Sequence, residues 1–322
     1  MSLISIVKKG NPYETIDYIV PDGNNQYIPG TTSIYTDRAN GLGGNVFVFG
    51  TNNPEYPGYS ANNGAGCAAW YNQSNQTFTM IYPPSDATQG KTDMGYCYLD
   101  STSIFFITNS TDSTVDVFSI TGGTVSGVGS IDIGPGGDGK DGTNGISTIF
   151  VSVNGTTAPT TGTIFYGVFQ NVTGGFGGIV SVPLSINSGY GIGVGTPSNI
   201  NPSVNPQRIA KSPTTSTIYY SSTEGYVYYG GANGSASTSL GLTGIKDIAF
   251  DQNGKLCTLS GSSINRYDFT SDTTVSLNYT KTLAEAPTQG LSVVTTSTPK
   301  GYYGGLGDVR SNAYLIDPLL TY

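Results

Sequence analysis

Residues 247–269, DIAFDQNGKLCTLSGSSINRYDF, read as strand, turn, strand, turn, strand. Asn253-Gly254 lies between two β-rich runs, and this pair readily takes the positive φ angles of a two-residue hairpin. A unit this small cannot bury both its faces alone, so it must stack against copies of itself. Working outward, the same pattern recurs about six times along the 322 residues.

The first two strands of each unit pair as 32–36 with 46–50, 95–99 with 104–108, 146–153 with 163–168, 208–211 with 217–221, 247–250 with 255–259, and 291–294 with 301–304. Third strands follow at 67–71, 115–120, 178–182, 226–229, 264–269 and 313–317, each after a Gly-, Ser- or Asn-rich turn. Fourth strands fit 77–82, 125–133, 190–194, 235–240 and 275–281. The sixth unit has none, because Pro318 and the end of the chain intervene; residues 2–8 would supply it and so cover an otherwise open sheet edge. The expectation is an all-β, six-bladed β-propeller in one domain, 1–322, whose last blade takes its outer strand from the N-terminus. Its blades fall at 31–85, 93–134, 145–197, 206–242, 244–285, and 288–322 plus 2–8.

Two stretches carry a resemblance. Residues 103–120, SIFFITNSTDSTVDVFSI, resemble a blade of the YVTN-type β-propellers, with Phe106, Ile107, Thr108 and Asn109 at the aromatic-Val-Thr-Asn positions. The stretch 247–269 is similar to blades of NHL and SMP-30-like propellers. The resemblance implies architecture. SMP-30-like enzymes hold a divalent ion with Glu, Asn and Asp, but the only Glu near a first strand is Glu14, outside the repeats, so that ligand set does not carry over. Sialidase propellers have a Ser-x-Asp-x-Gly-x-x-Trp turn and an arginine cluster. The sole Trp70 and the scattered Arg38, Arg208, Arg266 and Arg310 do not match them.

Composition removes whole classes of function. Charged residues are 11% of the chain and the net charge is −8, which leaves no basic surface for a nucleic acid backbone. Apolar runs such as 104–107 and 149–153 are far too short to span a bilayer as a helix. In the N-terminal MSLISIVKKGNPY the lysines follow the apolar residues, the wrong order for a secretory signal, so export would need another route or a signal outside this sequence. Cys67, Cys97 and Cys257 form no CxxC pair and fall in strands; they read as buried thiols, with a Cys67–Cys97 bridge as the alternative.

Histidine is absent, which excludes Ser-His-Asp and Cys-His nucleophilic sites and the usual His-containing zinc sites. Carboxylates remain, but spacing alone places no pair of them across a cleft. The loop at 134–145, GPGGDGKDGTNG, clusters Asp138, Asp141 and Asn144, oxygen ligands of the kind Ca²⁺ takes; the competing reading is a solvated Gly-rich turn, and no cofactor is expected. Tyr56, Tyr59, Trp70 and Tyr71 are the candidate binding aromatics for sugars or protein partners. Tyr56 and Tyr59 are the best placed of these, lying between Pro54 and Pro57 or just beyond.

Abundant Tyr, Thr, Ser, Asn and Gly, few charges and no His also resemble the surface and virion proteins of thermoacidophilic archaea and their viruses. Such a composition loses little stability as pH falls. The chain therefore reads as a non-enzymatic, extracellular structural or attachment protein with no catalytic residue. It would sit on a virion or cell surface and contact other virion or surface proteins or host glycans, with no nucleic acid partner and no membrane span. The alternative is a propeller enzyme, a metal-dependent lactonase-like or glycan-active hydrolase working through carboxylates at the channel mouth.

Overall fold

The computed structural model describes residues 31–36, 45–50, 67–72, 77–82, 91–109, 114–122, 124–133, 146–168, 178–201, 204–215, 217–230, 238–251, 253–271, 273–282, 289–294, 300–304 and 313–316. All their regular structure is β, in antiparallel sheets that each follow the chain order. The chain divides into two compact units, one of residues 90–211 with 215–243, the other of residues 1–89, 212–214 and 244–322.

Three sheets build the first unit. One runs β5 (Lys91–Leu99), β6 (Thr102–Asn109), β7 (Thr114–Thr121), β8 (Thr124–Asp132). The next runs β9 (Ile146–Val153), β10 (Thr160–Val168), β11 (Gly178–Ile186), β12 (Ile192–Val194), and a fifth strand, β13 (Ser198–Asn201), also pairs with β11. The third runs β14 (Pro206–Lys211), β15 (Ile218–Ser222), β16 (Val227–Gly230), β17 (Thr238–Ser239). The other unit holds β1 (Thr31–Thr36) to β2 (Asn45–Gly50), β3 (Cys67–Asn72) and β4 (Thr77–Tyr82), and β18 (Ile245–Phe250) to β19 (Leu256–Ser260), β20 (Ser263–Ser271) and β21 (Thr274–Thr282). It also holds β22 (Gln289–Val294), β23 (Lys300–Gly304) and β24 (Ala313–Ile316).

In each unit the first strands of different sheets face one another: β9 packs against β5 and β14, and β22 against β1 and β18. Burial follows from that. Ile104, Phe105, Phe106 and Ile107 are all fully buried, although successive strand side chains point to opposite faces; both faces of β6 are therefore covered. Outward along the same sheet the cover is lost, and β8 is mostly exposed. One apolar core joins the β5–β8 and β9–β12 sheets through Leu99, Phe106, Val117, Ile149, Ile164 and Val182; a second joins β9–β13 to β14–β16 through Phe165, Ile179, Ile209 and Tyr220.

The 247–269 stretch folds as strand, turn, strand, turn, strand, but its first turn is not the two-residue hairpin expected of Asn253-Gly254. Phe250 pairs with Leu256, Asp251 N donates to Lys255 O, and only Gly254 among the described turn residues has positive φ, at +75°. The reason is the Asp251 carboxylate. Its Oδ1 accepts from the N–H groups of Asn253 and Lys255, and its Oδ2 accepts from Arg266 Nε at 3.0 Å and Nη2 at 2.5 Å, so a longer loop wraps a buried acceptor. Cys97 and Cys257 are free and buried, with the Cys97 thiol pushed up to about 12 by burial, so the Cys67–Cys97 bridge is not formed. Residues 2–8 lie outside the described residues.

Candidate functional site

Every first strand carries the same irregularity. The register slips between Thr31 and Ser33 in β1, Lys91 and Met94 in β5, Ile146 and Thr148 in β9, Pro206 and Arg208 in β14, Ile245 and Asp247 in β18, and Gln289 and Ser292 in β22. A bulge leaves backbone groups without ladder partners and re-aims the side chains beside it. At this point β5, β9 and β14 place Asp93, Thr148 and Arg208.

These three side chains meet. Asp93 Oδ1 accepts from Met94 N at 2.8 Å and Arg208 Nη1 at 3.3 Å; Oδ2 accepts from Thr148 Oγ1 at 2.8 Å and Ile149 N at 2.9 Å. The Asp93 backbone is held as well: its N–H donates to Thr108 Oγ1, whose hydroxyl donates to the Asp93 carbonyl. Ser147 Oγ, in the β9 bulge, donates to Pro206 O and so ties β9 to β14 from the other side. Gly167, opposite Thr148, has no room for a side chain, since a Cβ there would run into Pro206 and Thr148.

Asp93 and Arg208 are both nearly excluded from water. Burial pushes the Asp93 carboxyl above its ordinary value, against the opposing pull of Arg208 and the hydrogen bonds from Ile149, Met94 and Thr148. A carboxylate, a guanidinium and a hydroxyl gathered in low dielectric are groups able to move a proton and to meet a developing negative charge.

The pattern was only partly legible in the sequence. The expected strand 95–99 begins after Asp93, and spacing alone places no carboxylate beside a partner. The available signal was Asp preceding an apolar residue at a strand start, in Lys-Thr-Asp93-Met94 and Lys-Asp247-Ile248. Of the residues singled out beforehand, Trp70 and Tyr71 lie in β3, paired with Phe47 and Val46 of β2. Tyr56, Tyr59, Asp138, Asp141 and Asn144 lie outside the described residues.

A divalent ion of the SMP-30-like kind does not fit this cluster. Among the described residues no three His, Cys, Asp or Glu side chains come together, and the Asp93 oxygens already face the Arg208 cation. No helix of the described residues is long and apolar enough to cross a membrane.

Among the described residues, antiparallel sheets whose first strands pack on one another within each unit form a β-propeller-like all-β fold. Solved structures with this fold match the chain over nearly its whole length. A luciferin-regenerating enzyme matches with a TM-score of 0.55 at 10% identity, covering 91% of this chain and 92% of its own. A gluconolactonase from Xanthomonas campestris matches with a TM-score of 0.55 at 11% identity, covering 95% and 90%. A GH93 α-L-arabinofuranosidase of Fusarium graminearum, solved with arabinobiose, matches with a TM-score of 0.58 at 12% identity, covering 92% and 96%. No protein-family model and no curated protein sequence matches the chain.

These likenesses correct the expectation of a non-enzymatic virion or surface protein. The scaffold that this chain shares end to end carries enzymes in all three structures, and nothing in the comparisons points to a virion or an attachment role. Composition misled because few charges and no histidine suit an acid-stable exterior protein equally well as any other rigid β scaffold, and they say nothing about which carboxylates the fold buries.

Proposed function

We propose that this chain is a propeller hydrolase of sugar-derived small molecules, cleaving a lactone ester or a glycosidic bond, and that it works outside the cell. On this reading the six sheets are six blades of one closed domain, with residues 2–8 completing the last. The observation that carries it is the end-to-end likeness to a gluconolactonase and an arabinofuranosidase. Both reactions add water to a sugar carbon centre, which calls for a carboxylate to manage a proton and a donor to meet charge developing on oxygen. Asp93 and Arg208, joined from different sheets, are a buried pair with that chemistry, and Thr148 and the β9 bulge hold the carboxylate in place.

The test is turnover by the purified protein of a panel of aldonolactones and aryl α-L-arabinofuranosides, each with and without added Ca²⁺, Mn²⁺ or Zn²⁺. Hydrolysis above the buffer rate on one class is expected. It should fall at least about tenfold in Arg208→Lys, which keeps the charge but loses the planar fork, with the far-UV spectrum unchanged. Buffer-level rates across the whole panel would overturn the reading.

A further inference from the structure

Five tyrosines stand on β15 and in and beside β16, and they are not equivalent. Tyr220 is fully buried in the core between the β9–β13 and β14–β17 sheets. Tyr228, directly opposite it, stacks on it with ring centroids 5.7 Å apart and planes 18° from parallel, and is half-buried. Tyr226, two residues before Tyr228, touches its ring at 6.3 Å and 59° and is 41% exposed. The three rings form a row that runs from core to surface and ends in one open aromatic face.

The turn beside that face is built from polar groups fixed in place. Ser222 N donates to Tyr226 O, Gly225 at φ +82° closes the turn with a bond from its N to Ser222 O, and Tyr226 N reaches Ser222 Oγ. At the tip, Glu224 Oε1 accepts from Thr223 Oγ1 at 3.1 Å and from Asn205 Nδ2 at 3.5 Å, and Thr223 N donates to Asn205 O. An exposed carboxylate on the same turn as the open ring, and a carboxamide from the residue before β14 that bonds to it, are thus oriented before anything binds. Pre-orientation lowers the entropy lost on association.

From this arrangement we infer that the β15–β16 turn is a saccharide-binding subsite, in which the Tyr226 ring stacks on the apolar face of a sugar and Glu224 and Asn205 take its hydroxyl groups. A sugar ring needs one flat aromatic surface and a few fixed polar atoms, the inventory found here. A stable protein interface needs roughly 800 Å² from each partner with several aromatic anchors. Among the described residues the exposed large apolar side chains are Val194, Tyr226 and Leu277, far apart in the sequence and on separate sheets. The inference gives the proposed hydrolase a substrate with a saccharide portion, yet its test reads binding and does not depend on turnover.

Binding of short linear arabino-, xylo- and gluco-oligosaccharides is measured by calorimetric titration on the whole chain. The wild type is expected to bind at least one series with a Kd near or below about 1 mM, and Tyr226→Ala to weaken it at least about tenfold. Tyr226→Phe, which keeps the ring, and Leu277→Ala, on the exposed strand β21 of another sheet, should stay within about threefold of wild type. Tyr226→Leu covers the case in which the alanine variant misfolds: it keeps apolar bulk but no flat face, and should lose binding as alanine does. Absence of binding by the wild type up to about 20 mM, or unchanged binding in both Tyr226→Ala and Tyr226→Leu, overturns the inference. So does a wild-type dimer in sedimentation that becomes monomeric in Tyr226→Ala, since the ring would then be covered by a second copy. Oligosaccharide binding lost in the variants with no hydrolysis at all would sink the enzymatic reading and leave this one standing.

Discussion

Asp93 and Asp247 occupy the same place in two different sheets, at the bulge that opens β5 and β18, and their first hydrogen bonds are the same. Each accepts the N–H of the next residue, Met94 or Ile248, and each accepts a backbone N–H from the first strand of the following sheet, Ile149 or Leu291. This shared part is architectural: a bulge leaves N–H groups without ladder partners, and a carboxylate from the neighbouring sheet takes them. What differs is the company. Asp93 also holds the Thr148 hydroxyl and the Arg208 guanidinium, whereas the residue that precedes Leu291 is Gly290, which has no hydroxyl to offer. A fold repeats its fastenings, while a site is where one copy departs from the repeat.

The largest effect should come from breaking the richer of the two. Asp93→Ala leaves Arg208 buried without its carboxylate, which typically costs about 3–5 kcal/mol. Urea denaturation followed by tyrosine fluorescence gives the number, and a loss under about 1 kcal/mol would show that the cluster holds nothing together. Asp247→Ala leaves the Ile248 and Leu291 N–H groups without their acceptor and should cost less, about 2–3 kcal/mol. If the two variants lose equally, the distinction drawn between fastening and site fails.

Acid sharpens the contrast. The Asp93 carboxyl is raised in the folded state, so the fold holds that proton more tightly than the unfolded chain does. Its contribution is complete below the ordinary value of 3.8 and is lost as pH rises through the raised value. Asp268 and Glu224 behave oppositely. Hydrogen bonds, from Lys255 and Asn278 in one case and from Ser222 foremost in the other, hold them below their ordinary values, and their contribution is lost as pH falls through the lowered ones. Wild type measured against Asp93→Asn should therefore gain relative stability as pH drops from 7 toward 4.5. A difference flat in pH, or one that reverses, would place the Asp93 proton elsewhere.

The smallest effect belongs to Ser221, opposite Arg208 across β14 and β15. Its Oγ is buried and makes no hydrogen bond, so Ser221→Ala removes an unsatisfied group and should leave stability unchanged or raise it by up to about 1 kcal/mol. The same holds for Thr258→Val in β19, where the Oγ1 is likewise buried and unbonded. Loss of more than about 1 kcal/mol in Ser221→Ala would mean that the hydroxyl is part of the Asp93 cluster.

Most strands were visible in the chain because their cause is local. Runs such as Ile104 to Ile107 and the Gly- and Asn-rich turns around them carry β preference whatever surrounds them, and the six sheets contain strands close to those expected. The turn at 251–255 escaped, because a side chain reaching fifteen residues ahead to Arg266 outweighed the preference of Asn253-Gly254. β13 escaped as well: Ser198 to Asn201 has little strand character of its own and is held by pairing with β11.

The sequence by itself determined the repeat, the all-β class and the chemistry that is excluded, since periodicity, turn residues and the missing histidine act within a few residues or by simple absence. The tertiary structure alone decided which charges are buried and with whom. Asp93 and Arg208 are 115 residues apart, and Asp93 and Ile149 are 56 apart. No local preference relates such positions; they meet because bulges at equivalent points of β5, β9 and β14 aim them at one another, and because a charge leaves water only where the fold supplies its partner.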